Sequence, residues 1–150
     1  MKALKQELYN RCMLVADDRI STAQNAITAA REASEDDTKS SAGDKYETTR
    51  EMMQQEISRN EVQLQEAKKL KQSLLAIDPT KSTESVQAGS LVETSNGTFF
   101  LAIFAGNVQL EGKTIITISP ASPIGKQLKS LKAGEGFTLN GREFRILAVY

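Results

Sequence analysis

The sequence predicts an α+β protein, in which an N-terminal antiparallel α-helical coiled-coil hairpin is followed by an antiparallel β-sheet domain with one short helix. Residues 1–78 contain one glycine and no proline, and their apolar side chains recur every three or four positions. Residues 79–150 contain eight glycines and all three prolines. In this second half, Asn-Gly dipeptides stand between strand-like runs, which indicates β-hairpins.

Two narrow apolar stripes define the predicted helices. The first runs from Leu4 to Ala30 and the second from Tyr46 to Ile77. Narrow stripes with charged flanks are typical of coiled coils, and each helix of ~33 residues would be ~50 Å long at its rise per residue. Asn60, on the second stripe, is expected to help fix the register of the pair.

One polar break separates the two helices and contains Gly43. Helices of matching length on either side of a short break favour an antiparallel hairpin with stripe packed on stripe. One continuous helix in a coiled-coil dimer is the alternative, against which the glycine and the length of the break argue. We therefore predict a hairpin over residues 1–78 with its tip at 34–45, a linker at 79–89, and a second domain at 90–150.

The second domain is predicted from turn and cap signals. Asn96-Gly97 and Asn140-Gly141 are expected to join strand pairs, and "GKTIITIS" is a further strand. Ser122 as N-cap, Pro123 at the first helical position and Gly134 beyond the end mark a helix between strands. In the last strand, one face is expected to hold Phe144, Ile146 and Ala148, and the other Arg145, Leu147 and Val149.

Composition restricts the function classes. The chain has 19 basic and 19 acidic residues, so no net charge attracts it to nucleic acid or to a membrane. It has no histidine, which removes histidine-based catalysis and most zinc sites. Cys12 is the single cysteine and is expected to be a small core residue. The sequence has neither a signal-peptide pattern nor a run of ~20 apolar residues, so a cytoplasmic protein is expected.

The C-terminal segment "ISPASPIGKQLKSLKAGEGFTLNGREFRILAVY" carries a family resemblance. It is similar to the corresponding segment of the Gre family of bacterial transcript-cleavage factors. The flanks of the polar break, "AARE" and "KYETTREMMQQEI", also resemble that family. The matched C-terminal positions are Ser119, Ser122, Pro123, Ile124, Gly125, Leu128, Gly134, Glu135, Phe144 and Ile146.

The resemblance implies an FKBP-like second domain and a partner, bacterial RNA polymerase. It implies that the protein is a monomer whose hairpin enters the polymerase's secondary channel. There the tip carboxylates would share an active-site Mg²⁺ with the polymerase, and the tip would contact the nascent RNA. The protein would have no cofactor of its own, and at most it would stimulate the polymerase's cleavage of backtracked RNA. Docking on the polymerase is implied for the start of the short helix, at Ser122, Pro123, Ile124 and Gly125.

The tip departs from the family pattern. Matching "DDTKSSA" to the family's tip puts Asp37 at its first functional acid and Ser40 where its second acid belongs. Asp37 is therefore the leading metal-binding candidate, with Asp36, Glu35 and Asp44 as secondary candidates. The two extra residues on each side of the tip are expected to enlarge the loop.

Three other functions compete with cleavage stimulation. A Gre-like protein without the second acid could inhibit or regulate the polymerase without cleavage. A structural coiled-coil adaptor explains the hairpin alone, and a prolyl isomerase or chaperone is suggested only by the fold of the second domain. The tip acids themselves could simply be helix caps or solubilising groups.

Overall fold

The computed structural model describes residues 1–40 and 44–150, with the backbone alone for 36–40 and 44–46. Helix α1 spans Lys2–Ser40 and helix α2 spans Asp44–Leu75. Ion pairs between Asp17 and Lys71, at 2.7 Å, and between Arg31 and Glu61, at 3.4 Å, join the two helices in antiparallel order. The predicted helical hairpin is confirmed.

Six strands and one short helix follow the hairpin. In chain order they are β1 (Leu91–Thr94), β2 (Gly97–Leu101), β3 (Asn107–Leu110), β4 (Lys113–Ile118), α3 (Pro123–Leu128), β5 (Gly136–Leu139) and β6 (Arg142–Val149). The strands are arranged in one sheet in the order β3-β4-β2-β1-β6-β5. The α+β class is therefore confirmed.

The sheet is mixed, whereas a purely antiparallel sheet was expected. Strands β2 and β4 run parallel, with Phe99 opposite Ile116. The chain leaves β2, forms β3 at the edge of the sheet and turns back into β4, which then lies beside β2. The β3–β4 hairpin was not predicted because its turn is Glu111-Gly112, at φ of 52° and 74°, and not the Asn-Gly pair that marks the other hairpins. Without β3, nothing in the sequence placed β4 beside β2.

The two predicted hairpins form. Asn140 and Gly141 both have positive φ, at 52° and 78°, as a two-residue turn between β5 and β6 requires. At the first hairpin, Thr94 pairs with Gly97. The turn residues there are Ser95 and Asn96, and the glycine begins β2 instead of lying within the turn.

Strand β6 contains a bulge that changes the predicted alternation. Glu93 of β1 pairs with Ala148, but its neighbour Thr94 pairs with Ile146, so Leu147 is an extra residue without a counterpart. The bulge restores Val149 to the face of Ile146, where it packs against the main core. The expectation that Val149 lies on the opposite face was therefore wrong.

The chain divides into two compact units. One unit is Ala16–Lys71, and the other combines Met1–Val15 with Gln72–Tyr150. The core of the second unit lies between the sheet and α3, and its buried members are Val86, Val92, Phe99, Leu101, Ile118, Leu128, Phe144 and Ile146. In the first unit, Ile27, Ala30 and Ile57 form a small buried cluster.

The other face of the sheet is also buried. Leu91 and Phe100 alternate with core residues along β1 and β2, and both are fully buried. In the same unit, Ile77 lies against Gly89, and Cys12 forms a hydrogen bond with the Ile103 backbone. The beginning of α1 and the segment after α2 are therefore integral parts of the sheet unit.

Burial raises the pKa of the Cys12 thiol to about 11, from an ordinary value of 9.0, while its hydrogen bond with Ile103 opposes this shift. Because the pKa of the thiol is raised in the folded state, the thiol ionises in the unfolded chain first. Its contribution to the free energy of unfolding is therefore fully present below pH 9.0 and is lost as the pH rises to about 11. We expect the free energy of unfolding to fall by about 2–3 kcal/mol more across this window in the wild type than in Cys12→Ala. Urea unfolding at both ends of the window measures the difference, and parallel pH profiles would contradict it.

Ser130, just after α3, has a φ of 74°, in the region that favours glycine. Its amide donates to the Val86 carbonyl at 2.8 Å, an interaction that glycine would retain. Ser130→Gly is therefore expected to raise the free energy of unfolding by roughly 1 kcal/mol, measured by urea unfolding. Ser130→Ala is the control and should give no gain, because alanine keeps the strained backbone.

Candidate functional site

The two helices extend further toward the tip than the sequence predicted. Helix α1 continues to Ser40 and α2 begins at Asp44. The backbone of Asp36 and Asp37 is therefore helical, and the expected loop enlargement over this stretch was wrong. Residues 31–40 lack glycine and proline and contain several good helix formers, so nothing in them ends the helix early.

The candidate metal-binding acids fall largely outside the described side chains. The predictions for Asp36, Asp37 and Asp44 concern side chains that lie outside the described part of the chain. Glu35 is exposed on α1. Among the side chains that the structure does describe, no group of three or more Asp, Glu, His or Cys residues could hold a metal ion. The tip acids stay a prediction from the sequence.

Arg31 is the described basic side chain closest in sequence to the tip acids. Its guanidinium group forms an ion pair with Glu61 across the hairpin, and both side chains are about half exposed or more, at 62% and 52%. An exposed pair of this kind contributes about 0–1 kcal/mol, so Arg31 can exchange Glu61 for another anion at small cost.

Asn60 makes a local contact on the hairpin seam. Its side-chain amide donates to the Glu56 carbonyl of α2 at 2.9 Å. This is a bond to the preceding turn of its own helix, so one of its two donors is not used across the pair. The expected role of Asn60 in fixing the register rests on its remaining polar atoms.

The predicted docking segment is a tightly built helix start. The Ser122 hydroxyl donates to the Ser119 carbonyl at 2.6 Å and accepts from the Gly125 amide at 3.1 Å. The Ser122 amide donates to the same carbonyl at 3.0 Å. The predicted cap is confirmed, with Ser122 in extended conformation and Pro123 in the first turn.

Gly125 is enclosed by this network. A Cβ atom there would overlap the Ser119 carbonyl oxygen and would lie 2.9 Å from the Ser122 hydroxyl. Ser122 and Gly125 thus have a structural role in the cap that is independent of any partner. Pro123 is exposed and Ile124 is half-buried against the core. Of the four predicted docking residues, Pro123 presents the most surface to a partner.

The tip acids and the docking segment belong to different compact units. Each is built by local sequence: the first by the end of one helix and the start of the next, the second by a cap around a glycine. The described residues bring no nucleophile and base together at either place.

An open groove of about 1080 Å³ runs between α1 and α2 in the first unit. Ile27 and Leu64 are its most buried apolar lining residues, and its polar lining includes Gln24, Asn25, Ser58 and Lys69. Such a groove is a normal consequence of a two-helix coiled coil with a narrow seam. Its lining also includes Arg31, Glu61 and Glu66, whose side chains are exposed.

Lys5 is a buried polar residue that the sequence did not single out. It is 3% exposed, and its ammonium group donates to the Lys81 carbonyl at 2.6 Å. The signal in the sequence was its position directly after Leu4, one turn before Leu8, on the apolar side of α1.

No protein-family model matches the chain, and no curated protein matches it. Among the described helices, none is both long and apolar enough to cross a membrane.

Proposed function

We propose that the protein is a Gre-like transcription factor that binds bacterial RNA polymerase and inserts its helical hairpin into the secondary channel. The observation that carries this proposal is the combination of a long two-helix hairpin, with acidic residues at the helix ends next to its turn, and a compact α+β unit with a capped helix start. The sequence resemblance covers both parts. We assign the sheet unit to the FKBP-like group on the same basis.

The chemistry proposed for the tip is assistance to another enzyme. One or two carboxylates bind Mg²⁺ weakly without a preformed cage, whereas two-metal hydrolysis needs additional anionic ligands. Asp37 would complete the polymerase's metal site and favour cleavage of backtracked RNA. The protein acts in the cytoplasm as a monomer, without a cofactor of its own or contact with a membrane, and its tip meets the nascent RNA.

A second candidate function is inhibition or regulation of the polymerase without cleavage. Ser40 stands where the resemblance requires the second acid, and the backbone of this stretch is helical rather than looped. The first feature removes one carboxylate from the tip, and the second changes the direction in which the remaining carboxylates would point toward a metal ion. Such a protein would occupy the same channel and compete with a cleaving factor.

A stalled, backtracked elongation complex tests the proposal. Adding the protein should shorten the RNA from its 3′ end if it stimulates cleavage. Intact RNA, together with protection against a known cleaving factor, would support the regulatory alternative. Failure to bind polymerase in a pull-down would exclude both and favour the coiled-coil adaptor.

A further inference from the structure

The segment that joins α2 to β1 contains a stretch with little burial. Ile77 lies against Gly89 at one end, and Val86 is fully buried at the other. Between them, residues 78–84, here called the strap, include no buried residue. Apolar packing therefore holds the two ends of this connection, while the strap itself depends on polar contacts.

Most hydrogen bonds of the strap are local. The Asp78 carboxylate accepts from the amide and the hydroxyl of Thr80, at 2.9 and 2.5 Å, and the Lys81 amide donates to the Asp78 carbonyl at 3.2 Å. The Thr83 hydroxyl donates to the Ser85 carbonyl. These bonds shape the turn, but they do not attach it to the rest of the molecule.

One hydrogen bond ties the strap to another element of the described structure. The Lys5 ammonium group, from the first turns of α1, donates to the Lys81 carbonyl at 2.6 Å. One turn later on α1, the Tyr9 hydroxyl donates to the Leu74 carbonyl at 2.9 Å. The same side of α1 thus holds both the end of α2 and the strap that follows it.

As a buried lysine, Lys5 would destabilise the fold if its only role were to fill space. It is the one buried charged side chain among the described residues. Burial lowers the pKa of its ammonium group, and the Asp78 carboxylate opposes that shift. An apolar side chain of similar size would fill the space without this desolvation penalty. The lysine is explained by the hydrogen bond that it gives the strap.

We propose that Lys5 is a latch that closes the strap and protects the Lys81–Ser82 peptide bond, and so the covalent connection between the helical hairpin and the sheet, from proteolysis. A serine protease must reach the carbonyl of the bond that it cuts and bind its oxygen. In the closed latch the Lys81 carbonyl oxygen is bound by Lys5. The proposal is independent of the polymerase function.

Limited proteolysis with trypsin tests the latch in the full chain, because trypsin cuts after lysine. Lys5→Met keeps the length of the side chain and removes the donor. We expect cleavage at Lys81–Ser82, followed by mass spectrometry, to be at least about tenfold faster than in the wild type, since the cutting rate follows the open population. Lys2→Met removes an exposed lysine from the same helix and should leave the rate unchanged.

Hydrogen exchange provides a second measurement that does not depend on the protease. The Thr80 and Lys81 amides, which donate to the Asp78 carboxylate and carbonyl, should exchange faster in Lys5→Met, while the Val86 amide, which donates to the Leu131 carbonyl at 2.8 Å, should keep its protection. A cutting rate within about twofold of wild type in a folded variant would overturn the proposal. Faster exchange that also includes the Val86 amide would overturn the proposal too, because the latch is expected to have a local effect. Loss of the folded state in both Lys5→Met and Lys5→Gln would overturn it for the same reason.

Discussion

Replacement of Gly125 by alanine is expected to lower the free energy of unfolding by about 3 kcal/mol. The added methyl group would overlap the Ser119 carbonyl oxygen and crowd the Ser122 hydroxyl at 2.9 Å. Because the Ser119 oxygen is a backbone atom that accepts two bonds from Ser122, it cannot move without breaking the cap. Overpacking of this kind costs about 1–3 kcal/mol, and loss of an N-cap about 1 kcal/mol more.

Urea unfolding at equilibrium measures this effect, with an unchanged dependence on urea showing that the folded states are comparable. Gly134→Ala is the matched control. Gly134 has a φ of 92°, but a Cβ atom there would meet nothing within 4 Å. Its substitution should cost about 1 kcal/mol from the backbone alone. Equal losses in the two variants would show that the enclosure of Gly125 contributes nothing.

This cap also shows why parts of the fold could be predicted. Ser122 and Pro123 act through contacts within a few residues, so their role can be predicted from the local sequence. The long helices are predictable for a similar reason, because their periodic stripes extend over many turns. The Asn140-Gly141 turn depends on two backbone angles that these residues adopt easily. The expectation that the helix extends to Gly134 was wrong, because α3 ends at Leu128 and the Gly134 amide donates to the Ile146 carbonyl of β6 at 2.8 Å.

The features that the sequence did not reveal depend on distant partners. The position of β4 beside β2 follows from a crossover, and the bulge at Leu147 from its pairing with a strand some 50 positions earlier. The hydrogen bond of Lys5 joins residues 76 positions apart. The crossover and the bulge have no signal in their own neighbourhoods, and the position of Lys5 on the apolar side of α1 indicates burial but not its partner. Sequence patterns report local geometry and burial but not pairing across the chain.

At the tip, we expect Asp37→Ala to reduce any stimulated cleavage of backtracked RNA by about 10²-fold. A group that stabilises developing charge in a reaction centre commonly contributes this much to the rate. Polymerase binding should be retained, because the predicted docking residues belong to the other compact unit. The measurement is the rate of RNA shortening at saturating protein. Glu47→Ala, which removes an exposed acid from α2, is the control and should keep the wild-type rate.

Ser40→Glu is expected to change the activity in the opposite direction. The resemblance puts an acid at this position, and a second carboxylate would complete the anionic set that a shared Mg²⁺ needs. We expect about a tenfold faster cleavage than with the wild type, measured in the same complex. If the wild type inhibits, the variant should shorten the RNA where the wild type only protects it.

Ser41→Glu adds the same charge one residue later and separates a positional effect from a general one. Because successive residues cannot present a carboxylate to the same point, only Ser40→Glu should gain activity. Equal gains would point to non-specific attraction of Mg²⁺ by a more negative tip. No gain in either variant, combined with unchanged cleavage by Asp37→Ala, would remove the tip acids from the mechanism and leave occupation of the channel as the protein's means of acting on the polymerase.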